Sequence, residues 1–151
     1  MSKTVLVTGA SKGIGRAVAL GLADRGYDVA INDIASEKAG LDSLAAEIQK
    51  KGQRALPVVA DISNHEQVDA MFQKIFSEWE VLDVLVNNAG ILTVSRVEDL
   101  AEEAWDKVFD VNAKGTFLVT KAAIPHMKAR RSGRIIHMAS IGGKQGGPGQ
   151  A

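Results

Sequence analysis

Short apolar runs alternate with segments of helical period along this chain, and that alternation predicts strands separated by helices. Thr4 to Thr8 is a short β-branched run, as expected of a buried strand. Ile14, Ala17, Val18, Gly21 and Leu22 then recur on one helical face, and Gly26 marks the end of that helix. Asp28 to Asp33 predicts a second strand. Ser36 stands where it can cap a second helix, with Leu41, Leu44, Ala45 and Ile48 inward and Gly52 closing it. Ala55 to Ala60 predicts a third strand, which Pro57 places at or near a sheet edge. Ser63-Asn64-His65-Glu66 fits a capping box ahead of Val68, Met71, Phe72, Ile75, Phe76 and Trp79 at helical spacing. Val81 to Val86 predicts a fourth strand and Arg134 to Met138 a fifth. Between them, Leu100 to about Arg130 is expected to be mostly helix, carrying Trp105, Val108, Phe109 and Phe117, loosened or kinked at Gly115 and Pro125.

Helices of this length between strands imply right-handed crossovers and a parallel sheet. Continuous apolar strands such as Val84-Leu85-Val86 suit a sheet covered on both faces. The fold class expected is α/β, doubly wound, in a single domain over residues 1–151.

Composition narrows the function classes. Lys plus Arg (18) balances Asp plus Glu (18), so no basic field exists to draw nucleic acid or anionic lipid. The absence of cysteine excludes disulfides and thiolate chemistry and suits a reducing compartment. The apolar run at the N-terminus is far too short for a signal peptide, and no stretch approaches a membrane span, so a cytoplasmic location is expected. His65, His126 and His137 lack metal-ligand spacing, and no metal is expected. Trp79 and Trp105 sit on apolar helical faces and read as core residues.

The first strand runs into Thr8-Gly9-Ala10-Ser11-Lys12-Gly13-Ile14-Gly15, where the first helix opens. Glycines at 9, 13 and 15 permit a tight turn and let backbone amides approach a pyrophosphate, while the helix start adds unpaired donors and positive potential. A strand-to-helix turn without a ligand has the same spelling. The context favours a dinucleotide, because Asp33 ends the next strand 18 residues beyond Gly15, where a carboxylate can accept from both adenosine ribose hydroxyls. Asp33 favours NAD, since it would repel a 2′-phosphate. Lys12 in the same loop could pair with that phosphate, or be an ordinary solvated lysine, and NADP stays open as the alternative.

These motifs, with Asp61-Ile62, Asn87-Asn88-Ala89-Gly90, Val111-Asn112 and Met138-Ala139-Ser140 in the same order, resemble the N-terminal part of the short-chain dehydrogenase/reductase family. The resemblance implies a Rossmann fold of about five strands in the order 3-2-1-4-5, incomplete at its C-terminal side. It implies that Ser11, Lys12, Gly13 and Ile14 line the cofactor with Gly9 and Gly15. By the same resemblance, Asp61 bonds the adenine amino group with Ile62 beside it, and Asn88 and Gly90 lie along the cofactor. Asn112 would hold a local helix distortion and a relay water, and Ser140 would bond the substrate oxygen. Read without the family, Asp61 is a residue preceding a helix, Asn88 and Gly90 a turn, Asn112 a helical asparagine and Ser140 an unremarkable serine.

The family pattern continues from that serine to Tyr-x-x-x-Lys, which occurs nowhere in these 151 residues; the single tyrosine is Tyr27. The expected activity is therefore that of the parent family, NAD(P)-dependent interconversion of a small alcohol and ketone by a dimer or tetramer, with this chain alone inactive. The alternative is a catalytically incomplete nucleotide-binding or interaction fragment. The glycine-rich run over Gly142, Gly143, Gly146, Gly147, Pro148 and Gly149 reads as a loop leading nowhere. With the fifth strand as an exposed edge, the chain is expected to be marginally stable or self-associating.

Overall fold

The computed structural model describes residues 2–145. Five strands form one parallel sheet: β1 (Thr4–Thr8), β2 (Asp28–Asp33), β3 (Ala55–Val59), β4 (Val84–Asn87) and β5 (Arg134–His137), in the order β3-β2-β1-β4-β5. The helices between them are α1 (Gly13–Ala23), α2 (Lys38–Lys50), α3 (His65–Glu78), α4 (Glu102–Phe109) and α5 (Thr116–Ala129). This is the doubly wound fold expected from the alternation of patterns. The chain reverses its direction of build at β1, between β2 and β4, so a crevice opens at the carboxyl ends of those strands.

Alternation along β1 divides the interior into two cores. Leu6 packs on one face with Val68, Met71, Ile75, Leu85 and Val119. Val5 and Val7 pack on the other with Ala19, Leu41, Leu44 and Ile48. Both faces of the strand are covered, which is why it reads as a continuous apolar run. β3 lies at a sheet edge, as Pro57 predicted, and Lys74 Nζ donates to the Pro57 carbonyl at 3.0 Å.

Several local expectations need correction. Ser36 caps nothing. It sits in a 3-10 turn over Ala35–Glu37, and α2 starts one turn later behind Glu37. The cap of α3 is Asn64, not Ser63: the Asn64 side chain accepts from Gln67 N–H at 3.0 Å, while Gln67 Oε1 reaches back to Asp61 N–H at 2.8 Å. Only the forward half of a capping box forms, with its register moved by one residue; the returning Gln67 side chain meets Asp61 N–H, and Asn64 N–H donates to Asp61 O instead. β3 stops at Val59 and β5 at His137, each one residue short of its expected end. β4 begins at Val84; Val81 and Leu82 belong to the approach, where Leu82 N–H donates to His126 Nε2 at 3.2 Å. Trp79 is core, but Trp105 is 48% exposed and stacks on Phe109 at 4.5 Å between ring centres.

The segment from Leu100 to Arg130 is two helices joined by one π-helical turn at Asp110–Gly115, whose last residue packs against Ile62. Pro125 lies within α5 without interrupting it. α5 ends in a Schellman arrangement, with Arg131 N–H on Lys128 O and Ser132 N–H on Met127 O, which forces Arg131 to a φ of 51°. Among the described residues, no helix is long and apolar enough to cross a membrane, and no group of three or more His, Cys, Asp or Glu side chains could hold a metal ion. Gly146, Gly147, Pro148 and Gly149 of the expected terminal loop lie outside the described residues.

Candidate functional site

The loop from β1 into α1 turns on two glycines in left-handed backbone, Gly9 (φ 62°) and Gly13 (φ 57°). Gly15 is required for a different reason. A Cβ there would stand 2.2 Å from Gly9 O and 2.5 Å from Asn88 Nδ2, so only hydrogen fits. Lys12 precedes α1 without a side-chain cap, and the first turn of α1 holds no acidic residue. The amides opening that helix, at Gly13, Ile14 and Gly15, therefore have no carbonyl partner within it and present positive potential to the crevice. Such a surface binds an anion.

An acidic corner closes one side. Asp33 Oδ2 accepts from Ser11 N–H at 3.1 Å and from Ser11 Oγ–H at 2.6 Å, and its Oδ1 accepts from Ile34 N–H at 2.9 Å. Three donors thus fix the carboxylate at the end of β2. Glu37 stands beside it, with Oε1 2.6 Å from Lys12 Nζ and Oε2 3.4 Å from Ser11 Oγ. The Glu37 carboxylate, by hydrogen bond and by charge, holds the Lys12 ammonium above the usual lysine range. Gly40 lets the start of α2 come this close: a Cβ there would lie 2.9 Å from Ser11 Cβ. Asn32, one residue before Asp33, is buried. Its amide donates to Ala60 O at 3.0 Å and Val58 O at 3.2 Å, while its Oδ1 meets no donor among the described residues.

The other side is built from the end of β4. Thr8 Oγ accepts from the amides of Asn88 at 3.0 Å and Ala89 at 3.1 Å. Asn88 Nδ2 donates back to Thr8 O at 2.9 Å and Gly9 O at 3.0 Å. These four bonds lock the two strand ends together. Asn112, on the π-helical turn, accepts from Ile91 N–H and donates to Ile91 O, both at 2.9 Å. Its carboxamide therefore fixes the loop after β4, and Gly90 leaves the room it needs. Asp61 Oδ1 accepts from Ser63 N–H at 2.9 Å and Ser63 Oγ–H at 2.7 Å, and no donor among the described residues reaches Oδ2.

These elements enclose a cavity of about 480 Å³. Of the sequence-predicted residues, Gly9, Lys12, Ile14, Gly15, Asp33, Asp61, Ile62, Asn88 and Gly90 line it. Ser11 and Gly13 belong to the same loop but are not among the residues that line the cavity. Asn112 stands one shell away through Ile91. Ser140 is not brought into the cavity: it is exposed, and its Oγ accepts from Gly142 N–H at 3.1 Å at the start of a 3-10 turn. Glu37, Asn32, Lys107 and Val111 also line the cavity and were not foreseen. Only Val111 carried a sequence signal, as the neighbour of Asn112.

Comparisons with known proteins agree with this geometry. A family model described as short chain dehydrogenase matches residues 3–151. The chain is 44% identical over 151 residues to a 3-oxoacyl-(acyl-carrier-protein) reductase of Staphylococcus aureus, covering 100% of this chain and 61% of that protein. It is 42% identical over 150 residues to the reductase of the same name from Synechocystis, covering 99% of this chain and 60% of that protein. An NAD+-bound xylitol dehydrogenase structure superposes with a TM-score of 0.93 at 33% identity, over 98% of this chain and 56% of its own. The chain thus spans about 60% of the length of the curated relatives it matches. With the family model matching nearly its whole length, this protein belongs to the short chain dehydrogenase family.

Proposed function

We propose that residues 1–151 form the NAD-binding part of an oxidoreductase that interconverts a small-molecule alcohol and a ketone. The observation that carries this reading is the pairing of a side-chain-free anion cradle, Gly9 to Gly15, with a carboxylate pinned at the end of the adjacent strand. The residues present fit a dinucleotide: a bulkier residue at Gly15 would collide with the loop, and the cavity is of the size that ligand sites take. The amides of Gly13, Ile14 and Gly15 hold the diphosphate. Asp33 receives the adenosine ribose hydroxyls, and its charge disfavours a 2′-phosphate, so NAD is preferred to NADP. Asp61 takes the adenine amino group on its open oxygen, with Ile62 against the ring. Asn88 and Gly90 border the coenzyme on the β4 side.

When bound, the nicotinamide supplies or accepts the hydride. Asn112 holds the π-helical turn against the loop after β4. Ser140 is assigned to the substrate oxygen: its Oγ accepts from Gly142 N–H at 3.1 Å, which leaves its own O–H to donate. A general acid must also serve that oxygen. Tyr27 cannot: it packs beside the second core ahead of β2, at the opposite end of the sheet. No Tyr-x-x-x-Lys pair occurs in the sequence to take that role, and the expectation for these 151 residues is coenzyme binding with little or no ketone reduction. The exposed aromatic face of α4 and α5, with Trp105, Phe109 and Phe117, supports self-association as a dimer or tetramer. Titration with NADH and NADPH, followed by calorimetry, tests the reading. NADH binding that is lost in Asp33→Ala supports it; no binding of either nucleotide to the unaltered chain overturns it.

A further inference from the structure

We propose that Glu37 is a second coenzyme-selectivity residue, which holds Lys12 so that this site rejects a nucleotide carrying a 2′-phosphate. The inference rests on the reading of the cavity as a dinucleotide site and adds to the selection already assigned to Asp33.

A lysine in the glycine loop, beside the end of β2, is ordinarily a candidate partner for a 2′-phosphate. Here that amine is already engaged, 2.6 Å from Glu37 Oε1. The other Glu37 oxygen lies 3.4 Å from Ser11 Oγ, whose single proton goes to Asp33 at 2.6 Å. Two carboxylates and one ammonium thus share a corner around one serine, and their sum is negative. A phosphate entering there would meet Asp33 and Glu37, with the Lys12 amine already engaged by Glu37, whereas ribose hydroxyls find acceptors.

The placement of Glu37 is built into the fold. Gly40 allows the start of α2 to press on the loop, where a Cβ would stand 2.9 Å from Ser11 Cβ and 3.2 Å from Ser11 O. The 3-10 turn over Ala35–Glu37 then carries the carboxylate across to Lys12. The pair has little to offer as a stabilising contact, since the Lys12 side chain is 75% exposed. Its consequence lies in where it holds the positive charge.

The test is a comparison of NADH and NADPH binding by calorimetry in the unaltered chain, Glu37→Gln and the Glu37→Gln/Lys12→Ala double variant, with circular dichroism to verify folding. In Glu37→Gln, the ratio of NADPH to NADH affinity should rise on the order of tenfold, the scale of one charge-assisted hydrogen bond. That gain should disappear in the double variant, because the freed lysine is its source. NADH binding with an unchanged ratio in Glu37→Gln overturns the proposal while leaving the coenzyme site intact. So does a gain that survives removal of Lys12, or an unaltered chain that prefers NADPH. Failure of the unaltered chain to bind either nucleotide removes the underlying reading and this proposal with it.

Discussion

Replacing Gly15 with alanine perturbs the site at its tightest point. The added methyl would stand 2.2 Å from Gly9 O, 2.5 Å from Asn88 Nδ2 and 2.9 Å from Gly9 C. Two of these atoms are backbone, so the loop itself must retreat. Overpacking of this kind costs about 1–3 kcal/mol. The retreat also pulls on the bonds from Asn88 Nδ2 to Thr8 O and Gly9 O, at 2.9 and 3.0 Å, each worth about 1 kcal/mol. The helix propensity of alanine over glycine returns about 1 kcal/mol. The net expectation is a loss of about 2–4 kcal/mol, which for a domain of this size lowers Tm by about 4–16 °C. NADH binding should fail with it, because the displaced atoms form the cradle. Thermal unfolding followed by far-ultraviolet circular dichroism, paired with NADH titration, measures both effects. Gly21→Ala is the control: its nearest neighbour is Arg25 Nη1 at 3.6 Å, and there alanine should stabilise by about 0.5–1 kcal/mol. A Gly15→Ala protein within about 0.5 kcal/mol of the unaltered chain, with undiminished NADH binding, would refute the reasoning.

Three further outcomes are expected. Arg131→Gly should stabilise the chain by about 1 kcal/mol, because it relieves the left-handed backbone after α5 (φ 51°); chemical denaturation reads this directly, and no gain would contradict it. Burial against Phe76, with Arg130 nearby and Asp83 opposing, keeps the His126 imidazole below its ordinary range, and its Nε2 accepts from Leu82 N–H. Since the folded value is the lowered one, stability is complete above the unfolded value of about 6.5 and declines as pH falls below it. A His126→Gln variant should lose that segment of the pH–stability curve. Phe117→Glu, on the exposed face of α5 (59% exposed), should shift any self-associated species toward monomer in sedimentation velocity without lowering Tm by more than about 2 °C.

Much of this architecture was legible because its signals are local. The strands read correctly where both faces of the sheet are covered, as at Val5-Leu6-Val7. The glycine loop was legible because three glycines and Asp33 stand at distances set by one strand, one turn and one helix. The misreadings arise where tertiary contacts override local preference. Val81 and Leu82 look like strand residues, yet Leu82 buries its side chain in the first core while its N–H donates to His126 instead of to a neighbouring strand. Ser36 is a better cap than Glu37 by type, but the 3-10 turn reaching for Lys12 delays the helix. Trp105 lies on an apolar stripe that stays half exposed, with its ring stacked on the neighbouring Phe109. Glu37 itself was invisible: its role depends on the close approach permitted by Gly40, and no spacing rule relates residue 37 to residue 12. Asn112 was singled out through the family resemblance, but its partner Ile91, 21 residues away, needed the structure.

The most direct test of the account is an NMR titration of the 15N-labelled chain with NADH. The largest amide shifts should fall on Ser11 to Gly15, Asp33, Asp61 and Asn88 to Ile91, saturating together, with little change along the exposed face of α5. Saturating NADH that moves none of these amides, or moves only those around Phe117 and Ile124, would contradict the claim that this cradle and carboxylate hold a dinucleotide.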